Sequence, residues 1–376
     1  MKFLHLADLH LGKKLNEYPL REDQSFVLEQ ALALAKNEKV DAIIIAGDVY
    51  DSSAPSAETM DFYDDFLTKL HSLGLPVLMI SGNHDSPERL GVASSILKES
   101  GIHIVTDIKD SLRPVPVGDV NFFLLPYFRV SEVNRAFQCD CHGYDEAMKE
   151  LLSHMEIDVS KSNVLVTHQP ILPVGAKIPA SGSETSLDID AHGDVAGTEI
   201  IDIRLFDAFD YLALGHIHKA QNVSRNARYP GALLKYHVKE ANANRSFTLV
   251  ELQDKKLTIE ERPLKLLRDL VILRGTLEEL LSFDGHQGDF VRCVLTEDII
   301  VDSPYDKLKA VFPYCLGIEY ASPKQKQNHE EYVEDVEEMD KTELFDRFVS
   351  QYGGHALDEQ EEDFVRKLFE AQEGKR

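Results

Sequence analysis

The sequence predicts an α/β protein in which buried parallel strands alternate with helices, followed by a smaller α+β unit and a helical tail. Three observations carry that reading. Short unbroken apolar runs, of which Ile43-Ile44-Ile45-Ala46 is the purest, suit central strands covered on both faces. The segments between the early runs have helical spacing, which gives βαβ units. Five apolar runs end at once in metal-type side chains, which puts those residues at the carboxyl rim of a sheet, where open α/β sheets bind ligands.

At 376 residues the chain exceeds a typical single domain, so two or three units are expected. Its 43% hydrophobic and 28% charged residues are those of a globular chain, and no apolar run approaches the roughly 20 residues that cross a bilayer. The start, Met1-Lys2-Phe3-Leu4-His5-Leu6-Ala7-Asp8, meets a charge too soon for a signal peptide. Cys139, Cys141, Cys293 and Cys315 form no CxxC pair and no secreted framework. A soluble chain in a reducing cytoplasm, with buried or idle thiols, is the expectation. The net charge of −25 argues against a surface that attracts nucleic acid everywhere. Residues 330–376 hold 16 acidic against 6 basic side chains, whereas residues 219–245 hold Lys219, Arg225, Arg228, Lys235, Lys239 and Arg245 against Glu240 alone. That second stretch is expected to form a local basic strip facing phosphates beside bound cations.

In chain order, Lys2 to Ala7 alternate into a strand delivering Asp8-Leu9-His10, and a period of two points Asp8 and His10 the same way. Residues 21–38 place Phe26, Leu28, Ala31, Leu32 and Ala35 on one helical stripe. The chain then returns in the strand ending at Gly47-Asp48. Ser56 to Leu73 reads as the next helix, with Phe62, Phe66 and Leu70 on one face and Gly74 as its stop. Pro76 to Ile80 is a buried strand ending in Gly82-Asn83-His84-Asp85. Residues 115–135 read as a less regular strand region and Tyr144 to Met155 as a helix. Asn163 to Thr167 is the strand before His168-Gln169, and Leu172 to Ile200 is expected to be a long loop over the site. Phe209 to Leu214 delivers Gly215-His216-Ile217-His218, two imidazoles on one side of an extended segment. Residues 247–262 suggest a hairpin closing a first domain at 1–262. Strands at 270–273, 290–295 and 316–320 and helices at 276–282 and 302–312 make a small α+β cap at 263–321. Residues 322–376 combine an acidic linker with amphipathic helices carrying Leu344, Phe345, Phe348 and Val349, then Phe364, Val365, Leu368 and Phe369, which suit a partner surface.

Collected, the strand ends supply Asp8, His10, Asp48, Asn83, His84, His168, His216 and His218, expected side by side in one sheet. One ion can take Asp8, His10, Asp48 and His218, and a second Asp48, Asn83, His168 and His216, with Asp48 bridging. Carboxylate, amide and imidazole donors without thiolate suit Mn²⁺, Mg²⁺, Fe²⁺ or Zn²⁺. Two such cations are the apparatus for in-line displacement at phosphorus. The other histidines, among them His71, His103 and His154, read as surface or packing residues.

These motifs, Asp8-Leu9-His10-Leu11-Gly12, Gly47-Asp48-Val49-Tyr50-Asp51, Gly82-Asn83-His84-Asp85, Thr167-His168 and Gly215-His216-Ile217-His218, resemble those of the calcineurin-like metallophosphoesterases. With Tyr229-Pro230-Gly231, the cap and the helical tail, the chain is similar more narrowly to the SbcD family of nuclease subunits. The resemblance implies a sandwich of sheets flanked by helices and two divalent ions, usually manganese, with magnesium possible. It implies 3′→5′ exonuclease action on duplex ends, endonuclease action on single strands and hairpins, and roles in DNA repair, recombination and replication at the nucleoid. It also implies an SMC-like ATPase partner (SbcC) and a homodimer within a heterotetramer. His84 would be the histidine that assists cleavage without binding metal. His237, after Lys235-Tyr236, and the stretch around Ser183-Glu184 depart from the expected pattern. A phosphatase or small-molecule phosphodiesterase, and a noncatalytic binding subunit with a relic site, are the competing readings.

Overall fold

The computed structural model describes residues 1–176, 188–189, 195–196, 199–297, 301–321 and scattered positions from 345 to 369. It divides into two compact units, Met1–Val271 and Ile272–Arg376, a division eight residues past Pro263.

The first unit begins with β1 (Lys2–Leu6), α1 (Arg21–Asn37), β2 (Ala42–Ala46), α2 (Ala57–Ser72), β3 (Val77–Ile80) and β4 (Ile102–Val105). The side chain of Ser56 caps α2 by accepting from the Thr59 N–H. On α1 the buried stripe runs through Val27, Leu28, Ala31, Leu32 and Ala35, while Phe26, expected in it, is exposed. The chain continues through β5 (Val115–Val117), β6 (Val120–Leu125), α3 (Val130–Phe137), α4 (Tyr144–His154), β7 (Ser162–Thr167), β8 (Tyr211–Leu214), β9 (Gln221–Ser224) and β10 (Ala227–Tyr229). Strands β5 and β6 fill the first part of the irregular strand region expected at 115–135, and α3 takes its last residues. The unit closes on the hairpin of β11 (Ser246–Gln253) and β12 (Lys256–Pro263), whose turn residues Asp254 and Lys255 both have positive φ.

These strands form two six-stranded sheets, in the orders β12-β11-β1-β2-β3-β4 and β9-β10-β8-β7-β6-β5. The expectation that the five strand ends share one sheet was therefore wrong, whereas the sandwich of sheets implied by the resemblance is what forms. The physical reason is the apolar alternation itself. Phe3, Ile44, Leu78 and Ile80 from one sheet pack with Phe122, Leu124, Val164, Val166 and Tyr211 from the other in one core. The opposite face of the second sheet, with Phe123, Leu125, Leu165 and Leu212, packs on Val133 of α3 and Met148 and Leu151 of α4. Strands buried on both faces look alike in sequence whether they share a sheet or face each other.

The basic strip also dissolves on folding. Arg228 is 2% exposed and donates to Thr248 Oγ1, Asn222 Oδ1 and Glu261 Oε1 at 3.1, 2.8 and 2.7 Å. Lys235 pairs with Asp269 at 2.7 Å, and Arg245 pairs with Glu240 while donating to the His218 carbonyl at 2.7 Å. Buried cations must be paired, so these three tie the sandwich together rather than meet phosphates. Lys219, Arg225 and Lys239 stay on the surface.

One buried titratable group links the sheets. His5 Nδ1 lies 2.9 Å from the Tyr211 hydroxyl, and burial, with Arg228 nearby, lowers the His5 pKa from 6.5 to about 3. The unfolded chain thus binds a proton that the folded chain refuses. Stability from this group is full above pH 6.5 and drains as pH falls toward about 3. In His5→Gln, the urea midpoint should be lower at neutral pH and fall less steeply than wild type between about pH 6.5 and 4. An unchanged slope would show that His5 does not carry this linkage.

The second unit takes most of β13 (Leu270–Gly275), whose first two residues precede the division, and α5 (Leu277–Leu281), β14 (Phe290–Leu295), α6 (Pro304–Val311) and β15 (Cys315–Tyr320), with the sheet order β13-β14-β15. Strands β14 and β15 are parallel and joined by α6. Thr276 and Glu279 form a capping box on α5. Cys293 and Cys315 are buried in this sheet; in the first unit the Cys139 and Cys141 sulfurs are 3.6 Å apart. Most of the tail, the 322–339 linker included, lies outside the described residues. Among those described, Phe345 and Phe369 make an edge-on ring contact. Among the described residues, no helix is long and apolar enough to cross a membrane.

Candidate metal centre

The carboxyl ends of β1, β2 and β3 in one sheet, and of β7 and β8 in the other, meet at one rim. They bring Asp8 and His10, Asp48, Asn83 and His84, His168, and His216 and His218 together. The delivery differs from the expected extended segments. Asp8, His10, Asp48 and His216 have φ of 53°, 45°, 49° and 98°. L residues adopt such angles at a cost of order 1–3 kcal/mol each, and only where surroundings enforce them. Here the Asp8 and His10 N–H groups donate to the Gly47 and Asp48 carbonyls at 3.1 and 2.9 Å. Gln24 Nε2 donates to the His10 carbonyl at 2.7 Å, and the Tyr236 hydroxyl to the Leu9 carbonyl at 2.7 Å. The buried Asp85 carboxylate accepts from the Val49, Tyr50 and Gly82 N–H groups, clamping two rim loops. Burial and the nearby Asp48 charge raise the Asp85 pKa to about 6 despite those donors.

Among the described residues, three donor groups have ligand atoms within 4.8 Å of one another: Asp8 with His10 and His218, Asp8 with Asp48 and His168, and Asp48 with His10 and His84. Asp48 Oδ2 lies 3.6 Å from His10 Nε2 and 3.3 Å from His168 Nε2, between two of the groups. Asn83 Oδ1 lies 3.1 Å from His168 Nε2 and 2.9 Å from His216 Nδ1.

Tautomers sharpen the chemistry. His168 Nδ1 is 2.7 Å from the Ala46 carbonyl, which can only accept, so Nδ1 carries a proton and Nε2 turns toward Asp48 and Asn83. Nε2 and these oxygens are all acceptors, and a cation must lie among them. Without metal that cation is a proton: burial works against it, but Asp48 and Asp8 raise the His168 pKa to about 9. Burial likewise opposes the Asp48 charge, yet His168, His10 and His84 hold its pKa well below the carboxylate range. Burial lowers His10 and His218, and lowers His216 to about 3, so these stay neutral, the form that binds metal. The Nε2 atoms of His10 and His218 face each other at 3.0 Å. The donor set therefore fits divalent cations.

His84 stands apart. Its Nδ1 donates to the Asp51 carbonyl at 2.9 Å, its N–H donates to Asp48 Oδ1 at 2.9 Å, and its partly exposed ring puts Nε2 4.0 Å from Asp48 Oδ2. The Asp51 carboxylate accepts from Lys13 Nζ at 2.6 Å and lies 3.4 Å from His10 Nδ1, so one residue orients two rim imidazoles. Asp51 was missed as a functional residue, although it closes the Gly47-Asp48-Val49-Tyr50-Asp51 motif. His237 Nδ1 accepts from the Lys239 N–H at 3.1 Å and caps a short turn. The Ser183-Glu184 stretch lies outside the described residues.

Glycines let the two sheets close at this rim. A Cβ on Gly215 would collide with the Ala46 carbonyl oxygen and lie 2.6 Å from His168 Nδ1. Gly215→Ala should thus cost at least about 1–3 kcal/mol of stability and weaken metal binding together. A variant melting and binding manganese as wild type does would contradict this packing.

Residues 1–220 match the calcineurin-like phosphoesterase family, and residues 266–352 match the type 5 capsule protein repressor C-terminal domain. Over 380 residues the chain is 31% identical to the SbcD subunit of the SbcCD nuclease of Staphylococcus saprophyticus, covering 99% of this chain and 98% of that one. The chain belongs to the SbcD family of calcineurin-like phosphoesterases. The SbcD protein of Staphylococcus epidermidis, which carries the same name, is likewise 31% identical over 378 residues, 98% of each chain. Among solved structures, a dimetal phosphatase from Danio rerio overlaps 70% of this chain and 96% of its own at 14% identity and a TM-score of 0.41. As an SbcD-family chain, the protein is a metal-dependent phosphodiesterase of the nuclease class.

Proposed function

We propose that the chain is a binuclear DNA nuclease that works as the cutting subunit beside an SMC-like ATPase. The observation that carries this is the pair of buried donor groups meeting at Asp48, on a chain aligned end to end with proteins named as nuclease subunits. Asp8, His10, Asp48 and His218 would hold one ion, and Asp48, Asn83, His168 and His216 the other, manganese being favoured. Bound cations acidify water and neutralise charge at phosphorus. The chain's own side chains do the rest. Asp51 and the Ala46 carbonyl orient ligand imidazoles, Asp85 fixes the loops, and His84, partly exposed beside Asp48, offers Nε2 to the leaving or attacking oxygen. The substrates would be duplex ends, cut 3′→5′, and single strands and hairpins, cut internally, in DNA repair and recombination in the cytoplasm. The domain scheme follows: catalysis within residues 1–262, a cap at 263–321, and an acidic, apolar-striped tail at 322–376 that docks on the ATPase.

Digestion of end-labelled duplex, single-stranded and hairpin DNA, with manganese or magnesium and with or without the ATPase, tests the reading. Manganese-dependent cleavage of all three, with ATP required for duplex ends, is expected. Hydrolysis of phosphomonoesters alone would replace it with the phosphatase reading. Deleting residues 330–376 should leave manganese-dependent cleavage of short single strands nearly unchanged and abolish co-purification with the ATPase. Undiminished co-purification would place the docking surface elsewhere.

A further inference from the structure

Beside the donor groups, the loop Pro126-Tyr127-Phe128-Arg129 leaves the carboxyl end of β6 at the same rim. Strand β6 pairs in parallel with β7, which precedes His168. The loop is tied to both sheets: the Tyr127 N–H donates to the Ser81 carbonyl at 2.9 Å, just before Asn83 and His84, and the Phe128 carbonyl accepts from Gln169 Nε2 at 2.9 Å. The buried Phe128 ring packs on Tyr144 at 5.9 Å. The partly exposed Tyr127 ring sits 6.3 Å from the His216 ring, with planes 32° apart. Two residues on, Arg129 stands at the N-cap of α3 as a surface residue. None of these side chains has a part in holding metal.

A partly exposed aromatic ring beside the donor groups, on a loop tied to both sheets, with a surface arginine two residues on, matches what one nucleotide needs. Bases stack on aromatic rings regardless of sequence, and arginine pairs with phosphate. We propose that Tyr127 and Arg129 form a nucleotide subsite flanking the metal centre, the ring stacking on the base next to the scissile phosphodiester and the guanidinium binding a neighbouring phosphate. The proposal rests on the nuclease reading. A base paired in duplex has no free face for the ring, so the subsite favours unstacked nucleotides and frayed or looped DNA.

The test compares wild type with Tyr127→Ala, Tyr127→Phe and Arg129→Ala, in manganese, on three substrates. These are a single-stranded oligonucleotide, the same strand with an abasic residue beside the cleavage point, and methyl p-nitrophenyl phosphate. Tyr127→Ala should lower the ratio of oligonucleotide to small-diester kcat/KM about tenfold, the worth of one base–aromatic stack, chiefly through KM. Tyr127→Phe, which keeps the ring, should restore most of it. The abasic residue should weaken wild type but add nothing in Tyr127→Ala, since both remove the same stack. Arg129→Ala should flatten the salt dependence of oligonucleotide binding, read by fluorescence anisotropy. An equal loss on the small diester would make Tyr127 a prop for His216 and overturn the subsite, as would additive abasic and Tyr127→Ala effects. A wild-type protein that hydrolyses the small diester and no DNA would overturn the nuclease reading and the subsite with it.

Discussion

Asp48→Asn protein is expected to fold and to have lost phosphodiester hydrolysis. Asparagine has the size of aspartate, and its carbonyl oxygen can keep accepting from the His84 N–H, so the loop geometry survives. The negative charge does not survive, and it is the charge that lies 3.6 Å from His10 Nε2 and 3.3 Å from His168 Nε2. Each ion contributes several kcal/mol to the transition state, so weakening both through one shared ligand should slow hydrolysis by more than about 10³-fold. Calorimetric titration should show one or no tight manganese equivalent in place of two. The proton held by His168 should also be lost at lower pH, because Asp48 is the main charge keeping it. Two tight equivalents with wild-type turnover would remove Asp48 from the bridging position.

His84→Ala should give the opposite pairing of outcomes, with metal retained and chemistry lost. Its side chain is 16% exposed and anchored through Nδ1 to the Asp51 carbonyl, which leaves Nε2 available to a substrate oxygen. Losing a positioned proton donor or transition-state partner costs roughly 10²–10⁴ in turnover, and the loss should appear in kcat with KM little changed. His84 also forms a donor group with His10 and Asp48, so the alternative is concrete. If His84→Ala bound one manganese fewer than wild type, the residue would be a ligand and the proton-donor role would fall.

The sequence could show the site because the donors are punctuated. They follow apolar runs closely, and carboxylate, amide and imidazole recurring at five strand ends make up the donor set of a metal centre. Asp51 was harder to see because its job is done through a neighbour: a carboxylate oriented by Lys13 and aimed at His10 has no spacing signature of its own. The basic stretch misled for a related reason. Charge is visible in a sequence, but the partners that bury it, Glu261 for Arg228 and Glu240 for Arg245, are 33 and 5 residues away and become partners only on folding.

By itself the sequence determined the elements and the chemistry. Helices α1, α2 and α4, the strands β1, β2, β3, β7 and β8, the hairpin and the residue types at the strand ends follow from local periodicity, caps and turns, which act over a few residues. Tertiary structure decided which strands share a sheet, because two faces of identical hydrophobicity can be covered by helices or by a second sheet. It also decided the left-handed backbone at Asp8, His10, Asp48 and His216, conformations no local preference of those residues would select. They persist because the rim hydrogen bonds of two sheets, closing over Gly47, Gly82 and Gly215, leave the backbone no other path.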